Sequence, residues 1–133
     1  MIGVIIVSHG TLAEGLIDAL SMIIGEQESV LPVVLEEGES PEQLESKLVK
    51  AVDQIGSSDG TLILADLFGA TPFNVSGKVS QARDQVEVIA GYNLPMLLEL
   101  VMERDDVSLA ELSHLAKEAG IAGVRVLSEA LEN

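Results

Sequence analysis

The chain has no cysteine, which excludes disulfides, thiolate zinc sites, iron–sulfur ligation and a cysteine nucleophile. It has no tryptophan, and Phe68, Phe73 and Tyr92 are its only aromatic residues, so any core must be aliphatic. Positive charge is scarce: seven Lys plus Arg stand against 22 Asp plus Glu, a net charge of −15, and no basic residue precedes Lys47. Binding to nucleic acid needs clustered Lys and Arg, and that footprint is missing. Anionic membrane surfaces are disfavoured for the same reason. A secretory signal needs a positive leading region, which the start of the chain lacks. No apolar run approaches the length of a membrane span, so direct membrane insertion is not expected. These absences point to a cytoplasmic, acidic domain whose macromolecular partners are basic where they touch it. The length, 133 residues, is that of one domain, 1–133.

What is present is aliphatic and regularly spaced. Four continuous runs, Ile2–Val7, Val30–Leu35, Thr61–Ala65 and Val86–Ala90, read as strands buried on both faces. Between the first two, Leu12, Leu16, Ile17, Leu20, Ile23 and Ile24 make a helical stripe. Leu44, Leu48, Val49, Val52 and Ile55 make another. The alternation predicts an α/β fold: a doubly wound, mainly parallel four-stranded sheet with helices on both faces. Its common strand order is 2-1-3-4. Pro32 favours an edge position for the second strand. Leu94–Arg104 and Ser108–Gly120 read as two successive helices, the second opened by a capping box at Ser108 and Glu111 and stopped by Gly120. The last apolar stretch, Gly123–Leu127, is expected to add a C-terminal antiparallel edge strand. An exposed edge invites pairing with a second copy.

In such a sheet ligands sit beyond the carboxyl ends of the strands. The loops leaving those ends are Ser8–Thr11, Glu36–Ser40, Asp66–Asn74 and Gly91–Pro95. His9 follows a buried strand directly, and Thr11 and Glu14 have the spacing of a helix cap, which sets His9 just outside a positive helix end. Two readings are open for it: a strand-ending residue bonded to backbone, or a reactive imidazole. Asp66 ends the neighbouring third strand. It is either a turn residue serving its own loop or a carboxylate that fixes the His9 tautomer and turns the other ring nitrogen outward. Thr71 suits a helix cap and Pro72 the first helical position, while Gly69 allows close backbone approach. A helix start with free amides attracts anions, although ordinary capping needs none. Together these residues are arranged to carry a phosphoryl group without cysteine or a metal cluster. Glu36, Glu37 and Glu39 read as a solvated loop or as a steering surface for an arginine-bearing partner. His114, set in a helix among Leu112 and Leu115, carries no chemistry in this reading.

Three segments, VIIVSHGTLAEGL, LADLFGATPFN and EVIAGYNLPML, closely resemble the enzyme IIA domain of the mannose-type (mannose/fructose/sorbose) bacterial sugar phosphotransferase system, in the same order and over essentially the whole chain. The resemblance implies that His9 accepts a phosphoryl group on Nε2 from the phosphocarrier HPr and passes it to a histidine of enzyme IIB, which supplies membrane sugar permease subunits. It implies that Asp66 holds the Nδ1 side. It further implies that the Thr71 hydroxyl, with the backbone at Gly69, Ala70 and Gly10, receives the phosphoryl oxygens, with no cofactor and no metal. A homodimer is implied too, with the last strand exchanged in some members. Ala70 stands where glycine is frequent, a departure that touches partner preference more than chemistry.

Two further readings share the histidine: the phosphocarrier subunit of a dihydroxyacetone kinase, and a regulatory module read out by His9 phosphorylation. A histidine phosphatase is disfavoured, because its motif sets an arginine before the histidine where this chain has Ser8.

Overall fold

The four apolar runs become the strands of a single parallel sheet in the computed structural model, which describes residues 1–132. Strands β1 (Gly3–His9), β2 (Val30–Leu35), β3 (Thr61–Ala65) and β4 (Val86–Ala90) lie in the order β2-β1-β3-β4. Helices α1 (Leu12–Ile24), α2 (Pro41–Ile55) and α3 (Thr71–Gln81) connect them. Helices α4 (Leu94–Glu103), α5 (Leu109–Ala122) and the short α6 (Leu127–Ala130) complete the chain. The doubly wound sheet is the one expected, and Pro32 does lie on an edge strand.

Successive strand side chains point to opposite faces, and each face has its own helices. Val4, Ile6, Leu62 and Leu64 pack with Leu20 of α1, Leu97 and Leu100 of α4 and Leu112 of α5. Ile5, Val7 and Ile63 pack on the other side with Leu44 and Leu48 of α2 and Val75 and Val79 of α3. Each fully buried aliphatic side chain contributes about 1.5–3 kcal/mol, so strands apolar on every residue are stable only between two helix layers. The helix stripes follow with one difference. Leu12 and Ile23 at the ends of the α1 stripe are exposed, and Ala13 is buried instead.

The end of the chain departs from expectation. Gly123–Leu127 forms no strand: residues 124–126 lie outside any ladder and Leu127 opens α6. A strand needs a partner for its backbone groups, and this tail meets no sheet edge within one chain. Gly120 does not stop α5, which runs on to Ala122. Its small size serves packing instead, since a Cβ there would stand 2.7 Å from Met96 Cε on α4. The capping box of Ser108 and Glu111 is formed as expected.

Candidate active site

The parallel register brings the carboxyl ends of the strands to one level. Val7 pairs with Ala65, Ala65 with Ala90, and His9 with Leu35. His9, Asp66 and Tyr92, far apart in the chain, therefore stand on one edge, at the point where the connections of β1 and β3 diverge to opposite faces.

One oxygen of Asp66 makes the central contact. Its Oδ2 accepts the backbone N–H of His9 at 2.8 Å and meets His9 Nδ1, also at 2.8 Å. A carboxylate only accepts hydrogen bonds, so the neutral ring facing it carries its proton on Nδ1 and keeps the lone pair on Nε2. The His9 side chain is 52% exposed while that of Asp66 is 10% exposed. The ring is thus reachable from solvent, and its holder is enclosed. Asp66 thus meets the histidine across the sheet and does not serve the amides of its own loop.

Ser8 is completely buried and shapes the turn that presents His9. Its hydroxyl accepts the Ala13 amide at 2.9 Å and donates to the Gly10 carbonyl at 2.8 Å. The cap of α1 is therefore supplied by Ser8. Thr11 occupies the cap position without a side-chain bond, so the expected pairing with Glu14 is not made. The signal lay in the sequence as a serine at the strand end, but capping rules place the cap next to the helix and not four residues before it. Gly10 has φ +56°, a left-handed conformation that a glycine adopts without strain.

In the third loop, Ala70 is the cap residue of α3 and Thr71 its first residue, which shifts the expected start by one position. No side chain caps this helix, so its first amides point outward unclaimed by any side-chain acceptor. Gly69, with φ +83°, turns the loop, and its carbonyl accepts Asn74 Nδ2 at 3.0 Å. A helix start carrying a hydroxyl and amides unclaimed by a side chain favours an anion.

No Lys or Arg occurs in the loops 8–11, 36–40, 66–74 or 91–95. Lys47, Lys78 and Arg83 are paired with Glu39, Glu45 and Asp53. Arg104 is buried at the opposite end of the sheet, donating to the carbonyls of Ile2, Glu28 and Ser29. Glu39 belongs to the framework: its hydrogen bond from Lys47, and then that from the Glu36 amide, hold its carboxyl below the usual range. Glu36 and Glu37 remain exposed. In the loops at this edge Leu12, Leu67 and Phe68 are exposed, and the Phe68 and Phe73 rings stand 4.6 Å apart.

Asn93 caps α4 through Met96 N at 3.0 Å and ties it to α5 through Gly120 O at 2.9 Å. Tyr92 is half-buried and donates to Val7 O at 3.3 Å. Burial first, and the Asp66 charge second, push its ionisation well above the ordinary tyrosine range. His114 is exposed on α5 with Glu118 and lies apart from the site.

A doubly wound sheet that presents a carboxylate-held histidine at its switch point defines a class of small α/β domains whose chemistry is confined to one edge. Residues 3–117 match the family described as PTS system fructose IIA component. The chain is 39% identical over 127 residues to the mannose-specific EIIAB component of Escherichia coli (strain K12), covering 95% of this chain and 39% of that protein. It is 33% identical over 132 residues to the fructose-specific EIIA component of Bacillus subtilis (strain 168), covering 99% and 90%. The crystal structure of component EIIA from Streptococcus agalactiae superposes with a TM-score of 0.90 at 32% identity, covering 97% of this chain and 99% of that one. The chain belongs to this family and is an enzyme IIA domain of the mannose type. It spans 39% of the length of the EIIAB component it matches.

Ser8→Ala leaves the Ala13 amide without its acceptor and frees the Gly10 carbonyl. The expected cost is about 1–2 kcal/mol, read from urea unfolding, with the sheet retained in circular dichroism.

Proposed function

We propose that this domain is a cytoplasmic phosphoryl carrier: His9 Nε2 takes a phosphoryl group from phospho-HPr and passes it to a histidine of enzyme IIB, which serves the membrane permease subunits. The observation that carries this reading is the 2.8 Å contact between His9 Nδ1 and Asp66 on a ring that remains half exposed.

In uptake the Nε2 lone pair forms a new P–N bond while the donor's P–N bond breaks and its pair stays on the donor nitrogen; in delivery the acceptor histidine's lone pair forms the new bond and the Nε2–P pair returns to Nε2. The proton on Nδ1 is retained, so the phosphorylated ring is cationic and Asp66 stabilises it. The transferring group spreads its charge over three oxygens, to which the Thr71 hydroxyl and the Gly69 amide donate, while the amides of Gly10 and Ala70, beside them, also serve Leu35 O and Leu67 O at 2.9 and 3.3 Å. Stabilisation by dipoles instead of Lys or Arg suits a group that must leave again. The exposed Leu12, Leu67 and Phe68 form the apolar part of the docking surface, and Glu36 and Glu37 meet basic partners. A dihydroxyacetone kinase subunit or a regulatory module would use the same histidine, and the two are separated by the acceptor that drains it.

Two copies pair through the outer edge of β4, which is bonded on one side only, to β3. A groove of about 530 Å³ runs along it, lined by Val88, Ile89 and Ala90 and reaching Phe68 and Phe73. Val124, Val126 and Leu127 are exposed and make no strand with their own chain. Seated antiparallel on a partner's β4 edge, this tail supplies the missing ladder.

Incubated with phosphoenolpyruvate, enzyme I and HPr, the domain is expected to acquire an acid-labile, base-stable phosphate that enzyme IIB removes. His9→Ala should take up none, and unchanged labelling of that variant refutes the assignment. Asp66→Ala should fold and accept the group about ten- to a hundredfold more slowly, the loss of one charge-assisted hydrogen bond. For the pairing, light scattering is expected to give twice the chain mass, and the double variant Val126→Asp, Leu127→Asp the single mass. A parent protein of single mass contradicts it.

A further inference from the structure

The turn that presents His9 is held from both neighbouring strands. On the β3 side Asp66 accepts the His9 amide, and on the β2 side the Leu35 carbonyl accepts the Gly10 amide at 2.9 Å. The second hold is only as firm as the end of β2, an edge strand bonded on one side, to β1. Backbone groups of an edge strand that point away from the sheet have no ladder partner. Because the Leu35 carbonyl points inward, the groups pointing outward at this end are the Val34 carbonyl and the Glu36 amide, which flank it.

Both are taken by one ion pair. Lys47 Nζ, reaching from α2, donates to Val34 O at 2.9 Å and to Glu39 Oε1 at 2.9 Å, and stands 2.7 Å from Glu39 Oε2. Glu39 Oε1 in turn accepts the Glu36 amide at 2.9 Å. The ammonium therefore does for Val34 what an amide of a further strand would do, and the carboxylate does for Glu36 what a carbonyl would. A backbone turn from Glu39 N to Glu36 O at 3.0 Å, with Gly38 at φ +82°, brings the carboxylate back to its place. The side chains of the pair are 38% exposed at Lys47 and 11% at Glu39. Ion pairs near the surface add little to stability, so what this one contributes is placement: it fixes the direction of the Leu35 carbonyl between its two ties.

We propose that Lys47 is a positioning residue for the phosphoryl site: with Glu39 it fills both outward backbone groups beside Leu35, and so fixes the carbonyl on which the Gly10 amide and the His9 turn rest. This rests on the carrier reading of His9 and deepens it. Lys47 does not touch the phosphoryl group in this role. It acts through Leu35 and Gly10, on the opposite side of β1 from Asp66. Without it the outward groups turn to water, the end of β2 loosens, and the His9 turn is anchored on the β3 side alone.

Lys47→Met removes the ammonium and keeps an unbranched side chain on α2, Lys47→Arg keeps the charge and donors, and Glu39→Ala removes the carboxylate. Hydrogen exchange of the Gly10 amide, read by NMR in the unphosphorylated protein, is expected to quicken about tenfold in Lys47→Met and in Glu39→Ala, the loss of one charge-assisted tie. Lys47→Arg should restore most of the protection. The rate of phosphoryl uptake at saturating phospho-HPr should fall about three- to tenfold in the two impaired variants, with KM little changed. The double variant should fall no further than either single one, because the two residues form one device. Arg83→Met breaks another surface pair, with Asp53, and should leave both readouts as in the parent. Removing a cation also makes the chain more acidic, which alters encounter with a basic partner, but that effect lies in KM and fades with added salt. A change confined to KM and abolished by salt overturns the proposal, as does a Gly10 amide that exchanges at the parent's rate in both impaired variants. Hydrogen exchange reads the brace without phosphate. A parent that takes no label from HPr therefore refutes the carrier reading separately.

Discussion

A single carboxylate oxygen meets both the backbone and the ring of the same histidine, and the proposed carrier role depends on it. Asp66 Oδ2 holds the His9 amide, which fixes where β1 ends, and the His9 Nδ1, which fixes which nitrogen is free. Neither bond alone would do both. The parallel register of β1 on β3 is what makes this possible, because Val7 opposite Ala65 sets the two strand ends at one height. The register in turn is held by aliphatic layers on both faces, Ile5 and Ile63 on one and Ile6 and Leu64 on the other. The core therefore determines the reach of the carboxylate, and the carboxylate determines the tautomer.

The site is built from dipoles rather than cations. In a chain of net charge −15, four of the seven cations are committed elsewhere: Arg104 inside the far end of the sheet, and Lys47, Lys78 and Arg83 in surface pairs. An uncapped helix start and a hydroxyl attract a phosphoryl group less strongly than a guanidinium fork, which holds phosphate with two parallel charged hydrogen bonds. For a carrier, weaker holding is an advantage, since the group must be released at a rate useful to the next acceptor. In the proposed role, the acidic surface and the exposed Leu67 and Phe68 suit encounter with a basic partner followed by apolar contact.

The four strands were legible because runs such as Val30–Leu35 are apolar on every residue, a pattern that only a doubly covered strand satisfies. His9 and Asp66 were legible because topology alone places strand ends together. Four features were not, each for a physical reason. The Ser8 hydroxyl caps α1 from the end of a strand, five residues before the amide it accepts, outside the spacing of ordinary capping. Thr71 and Ala70 differ by one position, within the usual uncertainty of a helix start. Gly120 looked like a stop but is small because α4 passes close, which depends on tertiary packing. The tail Gly123–Leu127 has the composition of a strand, yet a ladder requires an edge its own chain does not offer.

The central claim is that the free lone pair of His9 lies on Nε2 because Asp66 occupies Nδ1. Nitrogen-15 and phosphorus-31 spectroscopy of the phosphorylated domain tests it most directly, since the one-bond coupling identifies the nitrogen that carries phosphorus. The account predicts coupling to Nε2 of His9, with Nδ1 still protonated. Coupling to Nδ1, or phosphorus on His114, would contradict it.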